Sequence, residues 1–184
     1  MMYNISMKKH IQNLFSIEEA AMLASLIEVE KESRKLFVWD EFGGDPYPQD
    51  IMDDPSYYIN NKSLGKIMFN FTLPQILIDK LNSLMAELGL DAEYFCSTYT
   101  EYSAKYGSPV LQPHKDRMNF CLVDYQLEAN TSWPLCIDDE EYDLSDNEAI
   151  AFLPAQLTHS RVDKVFAEND CVKMIFFDMK FRNE

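Results

Sequence analysis

From Glu93 onward the chain alternates. EYFCSTYTEYS, MNFCLVDYQL, SWPLCID, EAIAFLP, HSRVDKVF and CVKMIFFDMKF are short apolar or period-two runs, separated by acidic or turn-forming residues. Successive side chains of an extended strand point to opposite faces, so each run can bury one face. Strands this closely spaced predict a sandwich or barrel, with a jelly roll as the expected closure.

The preceding part reads differently. Ser16-Ile17-Glu18-Glu19 has the pattern of a capping box, and Ala20, Leu23, Ala24 and Ile27 share one helical face before the charged EVEKESR. A second helix is expected where Leu73, Leu77, Leu81, Leu84 and Leu88 repeat at helical spacing. Thr72 is its expected cap with Gln75 as the box partner, Pro74 fits a first turn, and Gly89 is its stop. Residues 40–61, dense in Gly, Pro, Asp and Tyr, read as an irregular loop with the length of a lid. The expectation is one α+β domain over residues 1–184. Residues 1–92 form its helical and loop part, with the helices packed outside a β core formed by residues 93–184.

Composition bounds the function. With 184 residues and 47% hydrophobic content, the chain can bury a substantial core. Its net charge of −15 includes acidic clusters at Asp50, Asp53 and Asp54, at 138–141, and at Asp143, Asp146 and Glu148. That field repels a phosphate backbone, and no dense Lys/Arg cluster counters it, so a nucleic-acid partner is not expected. No run approaches the roughly 20 apolar residues of a membrane span, and the N-terminal stretch has no apolar run of signal-peptide length. Cys96, Cys121, Cys136 and Cys171 show no C-x-x-C spacing and mostly sit in apolar runs. Free thiols in a reducing, cytoplasmic setting are the expectation. No Walker loop, G-x-S-x-G elbow or zinc-ribbon spacing is present.

His114-Lys115-Asp116 places an imidazole and a carboxylate two residues apart, on one face if the segment is extended. With 16 Asp and three His in the chain, a chance H-x-D is expected in roughly one such sequence in four, so context must carry it. Tyr102 and a Gly and Pro precede the motif; NFCLVDYQL, an acidic turn and EAIAFLP follow; then come His159 and CVKMIFFDMKF.

This order, over roughly residues 94–181, resembles the Fe(II)/2-oxoglutarate-dependent dioxygenases, and within them the prolyl-hydroxylase-like group. The resemblance implies a double-stranded β-helix core, jelly-roll and cupin-like. It implies that His114, Asp116 and His159 form the facial triad of two imidazoles and one carboxylate that holds Fe(II) and leaves open positions. The implied co-substrates are 2-oxoglutarate and O2, with succinate and CO2 released; ascorbate is a candidate further cofactor. The chain departs from the family where a basic residue is often found about ten positions after the distal histidine, since Asn169 and Asp170 stand there. A carboxylate in a buried pocket needs a cation. Arg161, two residues past His159, and Lys173 on the last strand are the alternatives, with the Tyr102 hydroxyl as a hydrogen-bonding partner. Asn119 and Asn130 are candidates to reach into the barrel, and Trp133 to wall an entrance or pack in the core. The expected activity is hydroxylation of a protein or peptide side chain. Hydroxylation of a free amino acid or small metabolite, and a non-catalytic cupin-like binding domain, are the alternatives.

Overall fold

A computed structural model describes residues 7–33, 35–38, 57–61, 65–106, 109, 111–116 and 119–182. In chain order the elements are β1 (Lys8–Ile11), α1 (Ile17–Ser33), β2 (Lys35–Val38), β3 (Tyr57–Asn61), β4 (Gly65–Phe69), α2 (Gln75–Glu87) and β5 (Ala92–Ser103). They continue with β6 (Phe120–Ala129), β7 (Leu135–Ile137), β8 (Glu140–Tyr142), β9 (Glu148–Phe152), β10 (His159–Arg161) and β11 (Cys171–Phe181). The major sheet runs β1-β9-β6-β11-β5-β4-β3-β2 and the minor sheet β10-β7-β8, its β10 edge extended by a bridge to His114. The two sheets make a double-stranded β-helix.

Strand parity divides the core in two. On β11, Ile175, Phe177, Met179 and Phe181 face the helices and join Leu23 and Ile27 of α1 and Leu77, Leu81 and Leu84 of α2. Val172 and Met174, of the opposite parity, face the minor sheet and pack with Trp133, Leu135, Ile137 and Leu157. At β11 each face of the major sheet is therefore buried, one under helices and one inside the barrel. Neighbouring strands keep this phase through register, since Phe176 lies opposite both Thr98 of β5 and Asp124 of β6.

Local chemistry sets the helix ends. Ser16 N donates to Glu19 Oε2 at 2.8 Å and Glu19 N to Ser16 Oγ at 3.2 Å, so the capping box forms reciprocally. At α2 the expected Thr72 cap does not form. The helix starts at Gln75 behind Pro74 with no side-chain cap, and the Gln75 amide donates to Asp79 instead. Gly89, at φ +71°, ends α2 in a Schellman turn, with Gly89 N bonded to Ala86 O and Leu90 N to Met85 O.

The first 92 residues are not only helix and loop, because β1 to β4 all belong to the major sheet. Within the stretch read as loop, Tyr57–Asn61 is a strand, while residues 40–56 lie outside the described residues. No helix among the described residues is long and apolar enough to cross a membrane, and all four cysteines are free.

Candidate metal centre

His114 N donates to His159 O at 3.0 Å and His159 N to His114 O at 2.9 Å. Residues that exchange both bonds across an antiparallel pair stand directly opposite, which makes the two imidazoles cross-strand neighbours. Their ring centroids are 4.2 Å apart. Asp116 is held by its own backbone N–H, which donates to Pro154 O at 2.9 Å. Its Oδ1 lies 3.5 Å from His114 Nε2 and 3.7 Å from His159 Nε2. One ligand atom from each of the three residues falls within 4.8 Å of the other two.

The outer nitrogens orient the rings. His114 Nδ1 is 2.8 Å from Gln112 O and His159 Nδ1 is 3.3 Å from Leu157 O. A carbonyl only accepts, so each Nδ1 donates and each Nε2 turns its lone pair toward the carboxylate. The Asp116 carboxylate raises the His114 pKa above its ordinary value, and burial lowers that of His159. A neutral His159 is the form that ligates a metal. The side chain of His159 is only 6% exposed while Asp116 is 40% exposed, so the centre is walled on the β10 side and open on the other. This donor set, two imidazole nitrogens and one carboxylate, suits a divalent transition metal with further positions open.

The centre opens into a cavity of about 410 Å³ lined by the inward residues of both sheets. Arg161 shares the inward face of His159, as their i, i+2 spacing requires, and lines the cavity with Tyr102 and Asp124. Arg161 Nη1 donates to Trp133 O at 2.6 Å and Nη2 to Asp124 Oδ2 at 3.1 Å, and the guanidinium lies 4.9 Å from the Trp133 ring centroid. Burial raises the Asp124 pKa against the opposing pull of Arg161. Burial also pushes the Tyr102 phenol up to about 12, so it is a permanent hydrogen-bond donor at neutral pH. Asp178, near the metal end, accepts from Cys96 Sγ at 3.2 Å; burial first, and then the charge of Asp116, push it up to about 6.

No protein-family model and no curated protein sequence matches the chain. Solved structures do match its fold. A prolyl-4-hydroxylase from Pseudomonas putida superposes with a TM-score of 0.61 at 12% identity, covering 95% of this chain and 92% of that one. The fold is that of the 2-oxoglutarate and Fe(II) oxygenases. An oxidoreductase of the 2OG-Fe(II) oxygenase family from Burkholderia pseudomallei has a TM-score of 0.58 at 11% identity, over 96% and 85% of the two chains. HygX from Streptomyces hygroscopicus, in a structure with nickel and 2-oxoglutarate bound, has a TM-score of 0.55 at 10% identity, over 95% and 83%.

Within this oxygenase fold, the structure brings together His114, Asp116 and His159, and places Arg161 and Tyr102 in the same cavity. Lys173 is not brought there. Its parity on β11 is that of Ile175 and Phe177, so it emerges on the helix side and pairs with Glu128 at 2.8 Å. Trp133 is a core residue, 3% exposed, with its ring edge-to-face on Tyr102 and its Nε1 donating to Val162 O. Asn130 bridges Asn169 O and Cys171 N outside the cavity, and Asn119 is not among the cavity-lining residues. Asp124 and Asp178 were missed from the sequence. The signal was there in both cases: a lone Asp inside an apolar strand, in NFCLVDYQL and in CVKMIFFDMKF, is a carboxylate that the fold must bury or use.

Proposed function

We propose that this chain is an Fe(II)- and 2-oxoglutarate-dependent oxygenase that hydroxylates a protein or peptide side chain. The observation that carries this reading is the convergence of two Nε2 atoms and one carboxylate oxygen at the mouth of a cavity that also contains a buried arginine. Bound Fe(II), with O2, would supply oxidative decarboxylation of 2-oxoglutarate to succinate and CO2 together with oxidation of the substrate.

The chain's own residues divide the remaining work. His114, Asp116 and His159 would hold the metal, with Gln112 O and Leu157 O fixing the two ring orientations. Arg161 would hold the remote carboxylate of 2-oxoglutarate, helped by the Tyr102 hydroxyl, which remains protonated at neutral pH. Arg161 stands at the buried end of the cavity, its side chain 2% exposed. Asp178, at the metal end, has a thiol as its hydrogen-bond donor and no ion-pair partner among the described residues. It favours a substrate that brings a basic or hydrogen-bond-donating group, in keeping with the acidic surface.

The test uses iron-loaded protein with 2-oxoglutarate and three substrate classes at low salt: proline-containing basic peptides, free amino acids and alkylated oligonucleotides. Gain of one oxygen atom on a peptide, coupled to succinate, supports the reading. Coupling to amino acids alone would overturn the peptide assignment, and coupling to oligonucleotides would overturn the charge argument.

A further inference from the structure

Arg161 and Asp124 form an ion pair at the buried end of the cavity, 2% and 3% exposed at their side chains. Asp124 Oδ2 accepts from Arg161, but Oδ1, among the described residues, is a fully buried side-chain oxygen with no hydrogen-bond partner. Orphaned buried acceptors are rare, because an unmade hydrogen bond there costs the full desolvation of the atom. This one belongs to a residue that lines the cavity.

The pair also makes the anchor electrically neutral. Arg161 is the one Arg or Lys among the described residues lining the cavity. A carboxylate docking on it would put two carboxylates on one guanidinium, with a net charge of −1 at a site removed from water. Two carboxylates sharing a buried site resolve this by one of them holding a proton. Of the other titratable groups lining the cavity, His114, Asp116 and His159 stand at the metal centre and Asp178 near it, so Asp124 is the carboxyl paired with Arg161. Ile150 of β9 and Phe176 of β11 lie opposite it in register, and Arg161 is the charged group acting on it. Tyr102 on β5 senses its charge and stays protonated.

We propose that Asp124 is a second carboxylate-binding residue of this site, which takes one proton from solvent onto Oδ1 when a ligand carboxylate docks on Arg161 and donates the resulting O–H to that carboxylate. The proposal rests on the reading of Arg161 as the anchor for 2-oxoglutarate. It assigns the orphaned oxygen a partner and keeps the buried end neutral: one guanidinium cation, one ligand carboxylate anion, one neutral acid. Binding of 2-oxoglutarate is then linked to proton uptake, and its affinity falls as pH rises above neutrality.

The experiment titrates 2-oxoglutarate into manganese-loaded protein by calorimetry, in buffers of different ionisation enthalpy, and repeats the titration across pH. Uptake approaching one proton per ligand is expected near neutral pH. With one proton taken up, Kd weakens about tenfold per pH unit on the alkaline side. Asp124→Asn, which keeps a neutral hydrogen-bond donor at this position, is expected to bind with no uptake and a flat pH profile. No uptake by the parent protein overturns the proposal, as does undiminished uptake by Asp124→Asn. The double variant Arg161→Met/Asp124→Asn removes the buried pair without stranding either charge. Parent-like affinity there would overturn the Arg161 anchor itself. Lost affinity there, with no Asp124-dependent proton, would leave the anchor standing and remove only the role given to Asp124.

Discussion

His159 occupies the most constrained position in the site: its ring is buried, it lies opposite His114 across one bridge, and its Nδ1 is tied to Leu157 O. Its backbone bonds survive truncation of the side chain. His159→Ala is therefore expected to lose tight Fe(II) binding while its far-UV circular dichroism stays like that of the parent. A variant that binds iron as well as the parent protein would contradict the triad. Arg161 and Lys173 separate by strand parity, and binding reads the difference directly. Charge-assisted hydrogen bonds to carboxylate contribute roughly 1.5–3 kcal/mol. Removing the Arg161–Asp124 pair should thus raise the 2-oxoglutarate Kd by about ten- to a hundredfold. Lys173→Met, on the far side of the sheet, should leave it unchanged. Arg161→Met alone strands Asp124 without its cation, and a loss of about 3–5 kcal/mol in urea unfolding is expected.

At the scale of elements, α1 is fixed to the sheet by Lys31 Nζ, 3.0 Å from Glu101 Oε2 on β5. Burial alone would raise the Glu101 pKa, but Lys31, with Tyr99 and Lys105, overcomes it and holds the carboxyl below its usual value of 4.5. A depressed folded-state value gives stability that is fully present above the unfolded value and is lost as pH falls through the folded one. Glu101→Gln should therefore be less stable than the parent at neutral pH, and the difference should shrink as pH falls below about 4.5, as followed by urea midpoints. Gly89→Ala tests the end of α2. Nothing lies within 4 Å of an added Cβ at Gly89, so a cost of about 1 kcal/mol should come from its φ of +71° alone.

These elements also show where the sequence was legible. The period-two runs, the capping box and Gly89 each state their geometry in local residue types, and the i, i+2 spacing of His114 with Asp116 and of His159 with Arg161 set their shared faces. What was not legible depended on partners distant in sequence. Lys8–Ile11 is a polar four-residue edge strand that pairs with β9, and Tyr57–Asn61 sits between β2 and β4. Thr72 has the right residue type for a cap, but the helix begins too late for it. Lys173 lies outside the cavity because its face is decided by the phase of the whole strand.

Taken as a whole, the molecule sets an acidic exterior of net charge −15 against a cavity with a buried cation at one end and carboxylates near its mouth. Such a field disfavours approach by polyanions and favours basic ligands, most strongly at low salt. Turnover should accordingly not be stimulated by oligonucleotides, and stimulation by a basic peptide should weaken as salt is added. All of this depends on one centre performing one kind of chemistry. The most direct test is succinate release from 2-oxoglutarate by anaerobically iron-loaded protein on admission of air, measured beside His159→Ala prepared in the same way. Oxygen-dependent succinate from the parent protein and none above background from the variant is the predicted result; succinate formed equally by both, or by neither with any of the three substrate classes, would contradict it.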